Sequence, residues 1–281
     1  MRIAMLLGSR LGVELMLSLG KSALRALAAA AGLFAYAHAH ADWATNLPRG
    51  VTEISSRIYD LHMLVLGIVT VIGVLVFAVL TYALIAFRKK PGVASATWDH
   101  SNLAEFIWTV IPFFVMVGLA IPAAQALILI EDTSGSELTV KITGYQWKWQ
   151  YEYVGKNYSF YSTLGRESNV ARQKNSGRDP YAVDNYLLEV DRPLVLPAGV
   201  KIRYLITSND VNHAWWVPDF GVKRDAIPGY MNEGWFQVDR PGTYRGQCAE
   251  LCGKDHGFMP IVVEVIPESE FDAWLRQQVT G

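Results

Sequence analysis

Cysteine and charge are both scarce in this sequence, and each scarcity excludes a class of protein. Two cysteines in 281 residues cannot build a disulfide framework. Charged residues make up only 18% of the chain against 51% hydrophobic ones, a balance that favours membrane segments over a wholly soluble protein. A net charge of −1 gives a nucleic-acid partner no electrostatic support. The motif Cys-x-x-Cys-His does not occur, so a covalently attached c-type haem is not expected.

The first 41 residues are predicted to be an export signal peptide. Basic residues precede an apolar run at 26–36, and the small-x-small pattern Ala39-His40-Ala41 comes just before the polar Asp42. A start at Met16 would give this signal an ordinary length. The alternative is an uncleaved third membrane helix, but the apolar run is too short to span a bilayer about 30 Å thick.

Two long runs without Asp, Glu, Lys or Arg, at 61–87 and 106–130, can each span a bilayer as a helix. The first run ends in Arg88-Lys89-Lys90, and the positive-inside rule places that loop in the cytoplasm. The N-terminal end at Asp42 and the large C-terminal domain would then both be periplasmic. The predicted organisation is a signal peptide at 1–41, a periplasmic segment at 42–60, a transmembrane hairpin at 61–130 with a cytoplasmic loop at 88–105, and a periplasmic domain at 131–281.

The C-terminal domain is predicted to be all-β. Four segments are rich in β-branched and aromatic residues, with turn-forming pairs between them: 138–153, 187–196, 200–207 and 260–265. Helices and strands do not alternate, so we expect an antiparallel sandwich or barrel and not a parallel α/β sheet. We also expect a short amphipathic helix at 269–278 and a surface loop at 166–181.

Within the segment 138–153, five aromatic residues alternate with polar ones from Tyr145 to Tyr153. The segment is predicted to be one strand, and its period of two places all five rings on one face. Core packing is a sufficient explanation for four of them. Two of the five are tryptophans, so one ring is retained as a candidate functional group.

The strongest chemical signal is a cluster of soft and imidazole ligands. Cys248, Cys252, His256 and Met259 lie within twelve residues, and His213 lies upstream. Thiolate, imidazole and thioether together suit copper, whereas methionine is not a usual zinc ligand. This ligand count favours two metal ions bridged by the sulfurs, each with one terminal histidine, although it does not require them. A disulfide is the alternative, and the neighbouring histidines and methionine argue against it.

These residues resemble the cytochrome c oxidase subunit II family. Residues 248–260, Cys-Ala-Glu-Leu-Cys-Gly-Lys-Asp-His-Gly-Phe-Met-Pro, are similar to its binuclear copper signature. Other similar motifs lie at 105–109, 144–149, 212–215 and 221–229. The resemblance covers roughly residue 61 to the C-terminus. It departs from the family at Tyr145, where His is frequent, and at Tyr230, where Arg is frequent.

The resemblance implies a helical transmembrane hairpin followed by an all-β, cupredoxin-like Greek-key barrel, located in the bacterial inner membrane. It implies two copper ions, with the cysteines as bridges, the histidines as terminal ligands, and a methionine and a backbone carbonyl as weak ligands. The implied copper ligands are Cys248, Cys252, His213, His256, Met259 and the carbonyl of Glu250. The Glu250 side chain would face a magnesium ion shared with subunit I.

The resemblance also implies that this chain is the electron-entry subunit of a proton-translocating oxidase. Trp147 would receive the electron from cytochrome c, and Glu105 would open a proton pathway into subunit I. Haem and the reduction of oxygen to water would belong to subunit I, with subunit III and membrane lipid as further partners. Residues 131–281 contain 20 acidic and 16 basic residues, a surplus that suits a basic cytochrome c. The expected docking acids are Glu152, Asp191 and Asp210.

Two other functions stay open at this point. A membrane-anchored copper chaperone or thiol oxidoreductase can use Cys-x3-Cys with a distant histidine, but such proteins usually have one membrane helix and an α/β domain. The copper subunit of a nitric oxide reductase would keep the same copper site and change only the electron acceptor. The sequence separates this second alternative from an oxidase least well.

Overall fold

The computed structural model describes residues 46–89, 91–94, 97 and 99–280. The predicted signal peptide at 1–41 lies outside these residues. Contacts divide the chain between Leu47 and Pro48, and every element described below belongs to the second unit.

Two long apolar helices come first. Helix α1 spans Glu53–Ala86 and helix α2 spans Asn102–Glu131, and both are long and apolar enough to cross a membrane. Each begins earlier than its predicted apolar run. Thr52 and Ser55 form a capping box at the start of α1, because each satisfies the other's free backbone N–H. Nearly all apolar side chains of both helices are exposed, so these helices contribute little to an internal core.

The rest of the chain forms two five-stranded sheets. The strands are β1 Leu138–Tyr145, β2 Lys148–Tyr153, β3 Tyr158–Ser162, β4 Leu194–Pro197, β5 Lys201–Ser208, β6 His213–Val217, β7 Val222–Ala226, β8 Asn232–Gln237, β9 Gly242–Cys248 and β10 Pro260–Ile266. Their orders are β3-β2-β1-β5-β8 and β4-β10-β9-β6-β7. Most described pairs are antiparallel, as expected, but β1–β5 and β4–β10 are parallel. The partners of each parallel pair are far apart in the chain, which gives room for the crossover that a parallel pair needs.

A single apolar core lies between the sheets. Strand β5 alternates strictly between buried and partly buried residues, so one of its faces points inward. Trp149 from the first sheet and Trp215 from the second are both fully buried in this core. Packing in this core therefore fixes the start of β6 and the end of β9, where two of the candidate ligands lie.

The predicted strand at 138–153 is in fact a hairpin. The chain turns at Gln146 and Trp147, so that Tyr145 lies opposite Lys148. The five aromatic rings therefore do not share one face, and that expectation was wrong. The three rings buried in the core are Trp149, Tyr151 and Tyr153. Tyr145 and Trp147 are only partly buried. The turn gives no signal in the sequence, because it carries neither Gly nor Asn, the usual residues of tight hairpins.

Two other segments also differ from expectation. The predicted strand at 187–196 shortens to β4. The predicted loop at 166–181 contains helix α3, Arg166–Ala171, whose Ser168 and Ala171 are buried. The expected C-terminal helix is present as α4, Glu268–Thr280, and the strands expected at 200–207 and 260–265 are β5 and β10.

The start of α1 is fastened to the β-domain. The Val51 N–H donates to the Asp219 carbonyl at 2.8 Å, and Thr52 Oγ1 donates to the Phe220 carbonyl at 2.7 Å. Ile54, in the first turn of the helix, is 1% exposed. Burial and hydrogen bonding at one turn of the domain thus fix where α1 begins.

The end of α2 is fastened to the same domain. Trp235 Nε1 donates to the Leu129 carbonyl at 2.9 Å, and an Arg224 guanidinium nitrogen lies 3.0 Å from both carboxylate oxygens of Glu131. The start of α1 and the end of α2 therefore lie together at the domain, and the connection between the two helices lies at their opposite ends.

Candidate metal centre

Three buried side chains converge at one end of the second sheet. His213 begins β6 and Cys248 ends β9, two strands that pair beside them. Cys252 follows on the loop that leads to β10. The possible ligand atoms of His213, Cys248 and Cys252 all lie within 4.8 Å of one another. The sheet thus brings together residues that are about 35 positions apart in the chain.

Each cysteine sulfur faces a different histidine. Cys248 Sγ lies 3.8 Å from His213 Nδ1, and Cys252 Sγ lies 3.5 Å from His256 Nδ1. The two sulfurs are 3.8 Å apart. We call His213 with Cys248 the strand-held half of the site, and Cys252 with His256 the loop-held half.

The spacing of the sulfurs suits a shared metal ion. Both cysteines are free, and 3.8 Å is well beyond the S–S bond of about 2.05 Å. A metal ion binds a thiolate at about 2.3 Å, so one ion can contact both sulfurs across this gap. With one imidazole at each end, the arrangement offers a similar ligand set to each of two ions.

Two further residues near the cysteines could supply weak ligands. The Glu250 carbonyl oxygen lies 3.3 Å from Cys248 Sγ, whereas the Glu250 side chain is exposed. Met259 is 1% exposed in the same apolar cluster as both cysteines, and its carbonyl accepts from the Cys248 N–H at 3.0 Å. A thioether and a carbonyl beside a Cys/His set are the weak ligands expected at an electron-transfer copper site.

Asp210 orients the histidine of the strand-held half. His213 Nε2 lies 2.9 Å from Asp210 Oδ1, which leaves Nδ1 to face Cys248. Partial burial opposes ionisation of Asp210, but hydrogen bonds from His213 and from the Gln146 and Val211 N–H groups hold its pKa below the ordinary value. Burial likewise opposes the His213 cation, yet its hydrogen bonds to Cys248 and Asp210 raise its pKa.

The two thiols differ in acidity. Burial disfavours the Cys248 thiolate, but hydrogen bonds with His213 and with the backbone of Ala214 and Glu250 outweigh it and lower the pKa to about 7. Burial and the adjacent negative charge of Cys248 raise the pKa of Cys252 to about 12. A bound cation would stabilise both thiolates, since a thiol deprotonates when it coordinates a metal ion.

The β1–β2 turn holds both halves of the site. Trp147 Nε1 and Gln146 Nε2 donate to the Cys252 carbonyl at 3.1 and 2.8 Å, and the Gln146 N–H donates to Asp210 at 2.7 Å. Trp147 could be predicted from the sequence as a site residue, but Gln146 could not, because a polar residue in an alternating segment gives no signal of its own.

The remaining predicted site residues lie outside this cluster. Glu152 lies 3.7 Å from Lys141, and Asp191 accepts from the Thr163 N–H at 2.6 Å. Of the three predicted docking acids, only Asp210 contacts the centre. Glu105 is exposed in the first turn of α2.

Two buried thiols, the buried imidazole of His213 and the partly buried imidazole of His256 lie at the end of a β-sandwich that is fastened to two apolar helices. This combination defines a class of membrane-anchored, cupredoxin-like proteins with a candidate copper site. Comparison with known proteins narrows this class. The family model of "Cytochrome C oxidase subunit II, periplasmic domain" matches residues 138–266, and that of the "transmembrane domain" matches residues 40–126. The chain therefore belongs to the cytochrome c oxidase subunit II family.

Two relatives of similar length agree with this assignment, and one solved structure resembles the C-terminal domain. The chain is 36% identical to the probable cytochrome c oxidase subunit 2 of Rickettsia bellii, over 87% of this chain and 88% of the relative. It is 33% identical to cytochrome c oxidase subunit 2 of Cereibacter sphaeroides, over 84% and 81% of the two chains. The periplasmic domain of subunit II of cytochrome oxidase from Bradyrhizobium japonicum is 39% identical, covers 53% of this chain and 97% of its own, and superposes with a TM-score of 0.46.

Membership confirms the predicted architecture of two membrane helices and a cupredoxin-like domain. The protein is thus a membrane protein. The copper chaperone and the nitric oxide reductase subunit are not favoured by these relatives.

Proposed function

We propose that this chain is the electron-entry subunit of a terminal cytochrome c oxidase. It accepts electrons from cytochrome c at a binuclear copper centre and passes them to haem in subunit I, where oxygen is reduced to water and protons are translocated. The observation that carries the proposal is the pair of free sulfurs 3.8 Å apart, each facing a different imidazole. Family membership supports the same function.

The residues present fit a copper pair, which when bound supplies a one-electron carrier with charge shared over two ions. Cys248 and Cys252 would bridge, and His213 and His256 would be the terminal ligands. Met259 and the Glu250 carbonyl would be the weak ligands. Burial of both cysteines at 4% and 2% exposure excludes water from the sulfurs.

Ligands held in place reduce the rearrangement that accompanies electron transfer. The β6–β9 pairing fixes His213 and Cys248, and the hydrogen bonds from Trp147 and Gln146 fix Cys252. Trp147 is the proposed entry ring. It is partly exposed, and its Nε1 hydrogen bond to the Cys252 carbonyl gives a short path from the surface to a ligand.

The domain surface suits a basic donor. Residues 131–281 contain 20 acidic and 16 basic residues, so the domain is near −4. We propose Glu152, Asp191 and Asp210 as docking acids, and Asp210 would serve both the donor and His213. Neutralising Glu152 should weaken the salt dependence of cytochrome c oxidation, and an unchanged salt dependence would remove it from the docking surface.

Contacts with the oxidase core are proposed at two places. The exposed Glu250 side chain would face a magnesium ion shared with subunit I, beside Leu251, which is 77% exposed. Glu105, at the start of α2, would open the proton pathway into subunit I. Normal turnover of a Glu105→Ala oxidase would exclude this proton role. Subunit III is a further proposed partner.

The proposed location is the bacterial inner membrane with the β-domain in the periplasm. The start of α1 and the end of α2 lie together at the domain, so the basic Arg88 and Lys89 lie at the opposite ends of the helices. A cleaved signal peptide at 1–41 agrees with this orientation. The proposed hairpin then runs from α1 to α2, and the periplasmic domain from 131 to the C-terminus.

Electron paramagnetic resonance of the copper-loaded full chain in detergent tests the function. We expect hyperfine splitting from two equivalent copper nuclei after partial oxidation, and complete loss of this signal in Cys248→Ser and in Cys252→Ser. Exposed Met231 provides a matched control for Met259. Met259→Leu should keep the pair with altered splitting, and Met231→Leu should change nothing. A single-copper signal in the native chain, or a surviving pair in either serine variant, contradicts the proposal.

A further inference from the structure

The connection between β3 and β4 carries none of the motifs that resemble the family, yet several hydrogen bonds hold it in a fixed conformation. The Gly165 N–H donates to the Glu189 carbonyl at 2.8 Å, and the Leu187 N–H donates to Ser168 Oγ at 3.0 Å. Arg245 on β9 anchors the connection by donating its Nε to Glu189 at 3.1 Å. Helix α3 therefore has a fixed position beside the metal centre.

Arg172, directly after α3, reaches from this connection to the copper-ligand loop. Its Nε donates to Asn169 Oδ1 at 2.8 Å, which orients the guanidinium from behind. A terminal nitrogen lies 3.4 Å from Asp255 Oδ1, and the guanidinium carbon lies 4.5 Å from the centre of the Phe258 ring. The Arg172 and Asp255 side chains are 25% and 24% exposed, so the ion pair is partly exposed to water.

The two contacts of Arg172 bracket the histidine of the loop-held half. Asp255 immediately precedes His256, and Phe258 immediately precedes Met259. Residues His256–Phe258 form one short 3-10 turn, in which the Phe258 N–H donates to the Asp255 carbonyl at 2.9 Å. One side chain thus holds the turn at both of its ends.

We propose that Arg172 is a positioning residue that fixes the turn His256–Phe258, and with it the ligands His256 and Met259; this role rests on the proposed copper function. Among the residues that the structure describes, no strand pairs with the loop between β9 and β10 at this turn. The Trp147 and Gln146 hydrogen bonds hold its Cys252 end, and Arg172 holds its other end.

An arginine suits this position better than a lysine. A partly exposed ion pair alone is weak, and stacking on an aromatic face adds to it. The planar guanidinium can present its edge to the Asp255 carboxylate while its face covers Phe258, whereas the ammonium of lysine is a point charge. The charge of Arg172 also offsets that of Asp255 next to His256. Its removal should therefore lower the reduction potential of the centre.

The test compares Arg172→Ala and Arg172→Lys with a matched control. Arg178→Ala removes an arginine of the same connection that lies 3.5 Å from Glu167, away from the ligand loop. In the copper-free full chain, hydrogen exchange of amides 253–259 should be about fivefold faster in Arg172→Ala than in the native chain. After loading, copper release to a chelator should be faster by a similar factor, and the two copper hyperfine couplings should become unequal. Arg178→Ala should match the native chain in all three.

The outcomes separate this role from the proposed function. Equal exchange and equal copper release in Arg172→Ala and Arg178→Ala overturn the role of Arg172 while the copper pair stands. Absence of a copper pair in the native chain overturns the proposed function, and exchange in the copper-free chain still decides whether Arg172 holds the turn. Native rates in Arg172→Lys overturn the stacking contact.

A second variant protects the test against a folding defect. If Arg172→Ala lowers the thermal stability of the whole domain, exchange of amides 253–259 in Asp255→Asn decides. Faster exchange confined to that loop supports the ion pair, and native exchange there overturns it.

Discussion

The two halves of the metal centre are built by different means. In the strand-held half, His213 is 0% exposed, its ring packs 5.9 Å from that of Trp149, and Asp210 fixes its orientation. In the loop-held half, His256 is only partly buried and lies on a short turn. Strand pairing and core packing hold the first half, whereas separate side-chain contacts from other segments hold the second.

The two halves therefore depend on different parts of the structure. The strand-held half keeps the sulfur of Cys248 in one place, and the position of that sulfur depends on the stability of the whole domain. The loop-held half lies nearer to solvent and depends on a few contacts of Trp147, Gln146 and Arg172. Changes there should alter the properties of the centre without unfolding the domain.

The largest effect should come from removing each histidine in turn. Both His213→Gly and His256→Gly should lose the two-copper signal. Added imidazole should restore it in His256→Gly at a concentration at least about tenfold lower than in His213→Gly. The cavity left by His256 opens toward solvent, whereas the cavity left by His213 is enclosed by the core. Electron paramagnetic resonance during an imidazole titration measures this. Equal imidazole requirements would mean that the two halves are equally accessible.

A smaller effect should come from crowding each half. A Cβ on Gly144 would lie 2.8 Å from His213 Cδ2, and that ring cannot move. Gly144→Ala should therefore destabilise the domain by about 2 kcal/mol in urea unfolding. A Cβ on Gly253 would lie 3.0 Å from Gln146 Nε2, a movable group, although the backbone φ of +117° also disfavours any side chain. Gly253→Ala should alter the copper hyperfine pattern, and it should lower the urea midpoint less than Gly144→Ala does.

A control for the glycine pair exists in the same domain. Gly155 has a φ of +77°, and a Cβ added there would meet nothing within 4 Å, so Gly155→Ala reports backbone strain without crowding. If Gly144→Ala were no more destabilising than Gly155→Ala, the rigid packing of His213 would be disproved.

The smallest effect should appear at alkaline pH, in the core behind the strand-held half. Tyr204 stacks on Phe236 and lies against Trp215 of β6, and burial raises the pKa of Tyr204 from 10.0 to about 12. The unfolded chain releases this proton first, so stability present below pH 10 is lost as the pH rises toward 12. At pH 11 the loss should be about 1 kcal/mol.

Urea unfolding at pH 8 and pH 11 measures this loss. Tyr204→Phe should unfold with a smaller difference between the two pH values than the native chain. Tyr181→Phe, at a 99% exposed tyrosine, should behave like the native chain. An identical pH difference in all three proteins would show that ionisation of Tyr204 does not govern alkaline stability.

The sequence allowed prediction of the parts of this protein that depend on local pattern. The two long helices follow from unbroken apolar runs, and five of the six copper-ligand candidates lie within the short segment 248–259. Strand β5 could be predicted from its β-branched and aromatic residues. In each case the signal and the structure that it specifies occupy the same stretch of chain.

What the sequence did not show depends on long-range contacts or on turns without a signature. Arg172 and Asp255 are 83 positions apart, and no pattern links them. The turn at Gln146 and Trp147 lacks the residues that mark hairpins. The resemblance predicts Asp210 only as a docking acid, and its contact with His213 depends on how the chain enters β6.

The double attachment of the β-domain has a mechanical consequence. A domain on a single tether could rotate about it, and its metal centre would sample many heights above the bilayer. Here the start of α1 and the end of α2 are bound to different parts of the sandwich, at Phe220 and at Trp235. The two attachments therefore restrict rotation of the domain relative to the helices, and they would hold Trp147, the proposed entry ring, at one height and angle above the bilayer.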